Sequence, residues 1–190
     1  MASVALYALD DPDPLPPWVP PSRSALDLPG NGAVPDAVVD TVYRMARHAS
    51  SLTEDWYRGR LELGISAVAY VELVGVVVTV AAVDGFFRAI GRLRPALPPT
   101  VPGAPDGRHP DVEAATLNWV PVTPPADREA AVVQALSAAP AESAMLWQLA
   151  AAQYIPMDEM GDRSWNRGTL SRPEMELVAS GLSTARQCFY

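Results

Sequence analysis

Apolar residues in this chain recur at spacings of three and four between clusters of proline, a pattern of helices joined by connecting segments. From Pro35 and Asp36 onward, Val38, Val39, Val42, Met45 and Ala46 fall on one helical face. Ser51-x-x-Glu54 then reads as a capping box, in which each side chain satisfies the other residue's backbone N–H. It predicts a second helix carrying Trp56, Leu61 and Leu63 and ended by Gly64. Ser66 caps the longest apolar run, SAVAYVELVGVVVTVAAVDGFFRAIG. Its valines suit a strand by propensity, but about 25 residues far exceeds the usual strand. Ala69, Leu73, Val76, Val80, Val83, Phe87 and Ile90 make one helical stripe instead. Between Glu72 and Asp84 only 11 residues are uncharged, about 16 Å of helix against a hydrocarbon core of roughly 30 Å. The expectation is a buried core helix and no membrane span.

The flanks of these helices read differently. Residues 1–35 carry eight prolines and little periodicity, which predicts an extended or disordered leader. Pro95 to Pro125 holds nine prolines and reads as a linker, unable to run as helix or central strand, with Trp119 as its anchor. Beyond it, Asp127 opens a helix through Ala130, Val133 and Leu136, and Pro140 starts another with Met145, Leu146, Leu149 and Ala152. The boundaries are then a leader over 1–35, a first lobe over 36–94, a linker over 95–126 and a second lobe over 127–190. The predicted fold is all-α, a helical bundle of roughly six or seven helices in two half-lobes.

The last stretch, SRPEMELVASGLSTARQCFY, concentrates the candidate chemistry. Ser171 and Glu174 form a second capping box, and Pro173 sits in the first turn, where a missing N–H is tolerated. Met175, Val178, Leu182, Ala185 and Phe189 continue as an amphipathic stripe. Cys188, the single cysteine of the chain, lies twelve residues after Glu176.

Composition narrows the classes. A net charge of −8 leaves no basic face for a phosphate backbone, so no nucleic-acid partner is expected. One cysteine excludes an internal disulfide framework and suits a reducing compartment. No basic region precedes the VALYAL run, so the expected location is the cytoplasm. No Walker loop, nucleophile elbow or dinucleotide fingerprint is present, and no cofactor or metal is expected. His48 reads as a solvent-facing or dipole-compensating residue, and His109 lacks a second ligand nearby. Asp84 and Arg88, one turn apart, read as an ion pair, and Asp158 and Glu159 as solvated acids of a polar loop.

Glu-x11-Cys-x-Tyr after the capping box resembles the alkylhydroperoxidase D and carboxymuconolactone decarboxylase-like family. Glu176, Leu177, Val178, Ala179, Ser183, Cys188 and Tyr190 fall on that family's pattern in order. The segment from Leu52 to Gly91 resembles the part that follows the cysteine helix in a family repeat, with Asp84 and Gly85 standing where many members have Asn-Arg. The resemblance implies a thiol-dependent peroxidase of antioxidant defence, acting on hydroperoxides with a thiol reductant and assembled as a homo-oligomer. Within it, Cys188 would be the first redox residue and Glu176 the proton-relay acid. Twelve residues of straight helix span about 18 Å, so this relay requires the chain to turn before Cys188. The family's second cysteine and histidine would follow Tyr190. The expectation is a product continuing through a codon read as selenocysteine, and an inactive chain without it. Two alternatives are a decarboxylase-like enzyme of the same family and a non-catalytic helical oligomer, with Cys188 an ordinary small apolar residue.

Overall fold

The computed structural model describes residues 1–10, 34–49, 52–100, 109–116, 118–126 and 130–185. Among these the chain is mostly helical. Its helices are α1 (Ala2–Asp10), α2 (Asp36–Arg47), α3 (Glu54–Glu62), α4 (Ala67–Ala89), α5 (Ala131–Gln134), α6 (Pro140–Gln153) and α7 (Arg172–Ala185). Two-residue strands β1 (Glu113–Ala114) and β2 (Pro121–Val122) pair antiparallel within the proline-rich stretch. The chain divides into two compact units, Met1–Ser143 and Ala144–Tyr190, and the division falls within α6.

The core of the first unit lies among α1, α2, α3 and α4. Val39, Val42 and Met45 of α2 are buried, with Val38 and Ala46 packed at the edge. Tyr57 of α3 and Tyr70, Leu73 and Val77 of α4 meet them, and the Tyr57 and Tyr70 rings cross edge-to-face at 4.7 Å. Each fully buried side chain of this size contributes about 1.5–3 kcal/mol. The extended leader is corrected at its start. Residues 2–10 form α1, whose Val4, Ala5 and Ala8 are buried in this core. The small alanines let α1 approach α2 and α4 closely. The rest of the expected leader, residues 11–33, lies outside the described residues.

Local chemistry sets the helix ends. Thr53, not Ser51, caps α3, its hydroxyl accepting from the Trp56 N–H at 3.2 Å; Ser51 is outside the described residues. Ser66 caps α4 by accepting from the Ala69 N–H at 3.1 Å. Gly64 and Gly91 take positive φ, 90° and 64°, and close α3 and α4 with the paired backbone bonds of a Schellman turn.

The long α4 is continuous, as its periodicity predicts, but it is not buried throughout. By length and composition alone it could cross a membrane, and 33% of its most apolar window is buried. Its first half faces the core through Tyr70, Val71, Leu73 and Val77, while Val78, Phe86 and Ile90 are exposed. Asp84 is 4% exposed and pairs with Arg88 at 2.6 Å and with Arg94 at 2.9 Å. Asp10, the last residue of α1, bridges the same two arginines, which closes a ring of four charges. Burial raises the Asp84 pKa, but the hydrogen bonds from Arg94 and Arg88 outweigh it and hold the carboxyl below its ordinary value. Trp119 is not the anchor of the proline-rich stretch. It is about half exposed, whereas Val122 is fully buried and Val120 packs against the core.

Candidate functional site

Glu176 lies one turn into α7, on the second unit. The start of α7 follows the predicted capping box in part. The Glu174 carboxylate accepts from the Ser171 N–H at 2.8 Å, but the Ser171 hydroxyl donates to that same carboxylate at 2.6 Å. This cap fixes the first turn, and Arg172 and Glu176 then meet on one face at i,i+4.

The Glu176 carboxylate is held at two points. Oε2 accepts from the Tyr154 hydroxyl at 2.7 Å, and Oε1 accepts from Arg172 Nε at 2.6 Å. Tyr154 follows directly on α6, so one hydrogen bond ties the end of that helix to the start of α7. The connecting loop is pinned by two guanidinium groups. Arg167 donates to the carbonyls of Tyr154 and Ala151, satisfying acceptors left open at the end of α6. Arg172 donates from Nη1 to the Asp162 carbonyl and from Nη2 to the Met160 carbonyl.

The electrostatics follow from these contacts. The Tyr154 hydrogen bond and then the Arg172 guanidinium hold the Glu176 carboxyl below its ordinary range, so it is ionised at neutral pH. Burial and then the bond to that carboxylate push the Tyr154 hydroxyl up to about 12. The arrangement is a fixed carboxylate acceptor with a neutral phenol beside it. Its side chain is 44% exposed, which leaves acceptor positions open to a further donor.

Cys188 and Tyr190 lie outside the described residues. From Glu176 to Ala185, where the described part of α7 ends, the helix carries the chain about 14 Å along its axis. Asp158 and Glu159 stand on a 3-10 turn over Met157–Glu159. His48 forms the C-cap of α2, its N–H donating to the Arg44 carbonyl at 2.8 Å. His109 Nδ1 is 3.9 Å from Glu72 Oε1. Among the described residues no group of three or more His, Cys, Asp or Glu side chains could hold a metal ion.

Sequence reasoning missed Tyr154 and Arg172. The four-residue spacing of Arg172 and Glu176 was available as a signal, whereas Tyr154 meets Glu176 across 22 residues with no local pattern to mark it. The chain matches no family model, no curated protein and no solved structure.

Proposed function

We propose that this chain carries two residues of a thiol-peroxidase site of the alkylhydroperoxidase D-like class, Cys188 as its first redox residue and Glu176 as its proton-relay acid. The observation that carries the reading is the clamped, ionised carboxylate of Glu176 on the helix that leads toward Cys188. A thiol attacks peroxide only as thiolate, and a carboxylate that is ionised at neutral pH is in the form that receives a relayed proton. In that step an S–O bond forms at Cys188 as the O–O bond breaks, and the departing alkoxide takes up the proton that the thiol gave up, relayed by way of Glu176. Two equivalents of an external thiol then return the sulfenic acid to thiol, releasing water and a disulfide. The reading requires the chain to turn before Cys188 and a relay group between the thiol and Glu176, because nothing on one straight helix brings the two together.

The test is sulfenic-acid trapping on the chain treated with an alkyl hydroperoxide, read by peptide mass. Trapping at Cys188 should be faster than for free cysteine and should slow by about 100-fold in Glu176→Gln. A Cys188 rate equal to that of free cysteine overturns the reading.

A second reading, a non-catalytic helical oligomer, has its own observation. Leu177, Val178 and Leu182 of α7 are 74%, 68% and 61% exposed. A helix face this apolar is ordinarily covered by a partner.

A further inference from the structure

We infer that Tyr154 is the positioning residue of Glu176, its hydroxyl and the Arg172 guanidinium together fixing the carboxylate by one donor on each oxygen. This rests on the reading of Glu176 as the acceptor of the proposed thiol site. A glutamate has three rotatable side-chain bonds, and a single donor leaves much of that freedom in place. Here the two donors come from different elements and reach different oxygens, at 2.7 Å and 2.6 Å. Both donors are themselves anchored. Arg172 is 13% exposed, and two loop carbonyls hold its outer nitrogens. The backbone of Tyr154 is held through its carbonyl by Arg167.

The two donors have different roles. Arg172 stays charged at any working pH and sits on the same helix as Glu176, so it supplies field and a local contact. Tyr154 comes from beyond the loop and is neutral, so it orients the carboxylate without neutralising it. The pair occupies two of about four acceptor positions on the carboxylate. The remaining positions are free for the proton that the proposed chemistry delivers.

The experiment is a carboxyl-carbon NMR titration of the whole chain labelled in glutamate, with the Glu176 signal assigned by Glu176→Gln. In Tyr154→Phe the Glu176 midpoint should move to higher pH, because a donor to the charged form has been removed. A tie that serves only to hold α6 to α7 would lower the thermal midpoint and leave the titration in place, and that result overturns the inference. If Tyr154→Phe fails to fold, the phenol titration of Tyr154 in Glu176→Gln gives the same answer. It should fall below about 12, and an unchanged phenol overturns the inference. The pH profile of Cys188 alkylation separates the two layers. A moved Glu176 midpoint with an unmoved Cys188 profile keeps Tyr154 as the positioning residue and removes the peroxidase reading.

Discussion

Asp40 of α2 and Arg60 of α3 form an ion pair at 3.0 Å, with side chains 10% and 13% exposed. The pair is incompletely satisfied, since Asp40 Oδ1 and Arg60 Nε are buried without hydrogen-bond partners. Burial raises the Asp40 pKa above 3.8, outweighing the attraction of Arg60 and Arg44. An acid with a raised folded-state pKa binds its proton more tightly when folded. Its contribution to stability is therefore greatest at low pH and declines as pH rises from 3.8 through the raised value. The direction of the shift also predicts an asymmetry between the partners. Arg60→Met takes from the buried carboxylate its hydrogen-bonded guanidinium, leaving only the more distant pull of Arg44, and should cost about 3 kcal/mol at pH 7, a loss that shrinks as acid protonates Asp40. Asp40→Asn leaves the Arg60 guanidinium without its counter-charge but keeps an amide oxygen as acceptor and removes a charge that burial disfavours, so it should cost less than Arg60→Met at pH 7. Urea unfolding of both variants at neutral and acid pH decides it, and equal losses at pH 7 would sink the argument.

At the scale of elements, Gly75 of α4 meets Glu142 in the first turn of α6, inside the first unit. A Cβ at position 75 would fall inside the contact distance of Glu142 Cβ and Cγ, with the Glu142 Cα only 3.6 Å away. Gly75→Ala therefore sets two effects against each other. Helix propensity favours alanine by about 1 kcal/mol, while forcing a methyl into a filled contact costs about 1–3 kcal/mol. Because the obstruction begins at Glu142 Cβ and not at a mobile side-chain end, the steric cost should win. Gly75→Ala should be destabilising alone and stabilising in a Glu142→Gly background; a gain from the single change would show that Glu142 gives way freely. That contact has no sequence signal, since a glycine in a valine-rich helix marks close approach without naming its partner. The caps were legible because they are local: Ser66 three residues before Ala69, and Gly64 and Gly91 at their helix ends. Helix α1 was hidden because eight prolines over residues 1–35 masked a nine-residue alanine-rich start. Periodicity also located the apolar faces of α4 and α7 without saying what covers them. In α7 only Met175 of the predicted stripe is buried.

Across the whole molecule, burial is unevenly distributed. The first unit holds the continuous core of α1 to α4, whereas in the second only Ile155 and Met175 are buried among the described residues. Ordering a residue costs about 1–2 kcal/mol in backbone entropy, and burying one large apolar side chain recovers about 1.5–3 kcal/mol. Two such side chains do not hold α6, the loop and α7 against that cost, even with Arg167 and Arg172 pinning the loop. The exposed Leu177, Val178 and Leu182 are the apolar area that would make up the difference if a second copy covered them. Amide exchange should accordingly be slow in α2 and the first half of α4 and much faster in α7 at low protein concentration. Raising the concentration roughly a hundredfold should slow exchange in α7 while leaving α2 unchanged, as mass action requires of a face buried between copies. Leu182→Lys, at an exposed position, should change the stability of the dilute chain by no more than about 0.5 kcal/mol and abolish the concentration dependence. Protection in α7 equal to that in α4 at the lowest concentration would mean that the second unit stands by its polar pins alone, and the oligomer reading would fall with it.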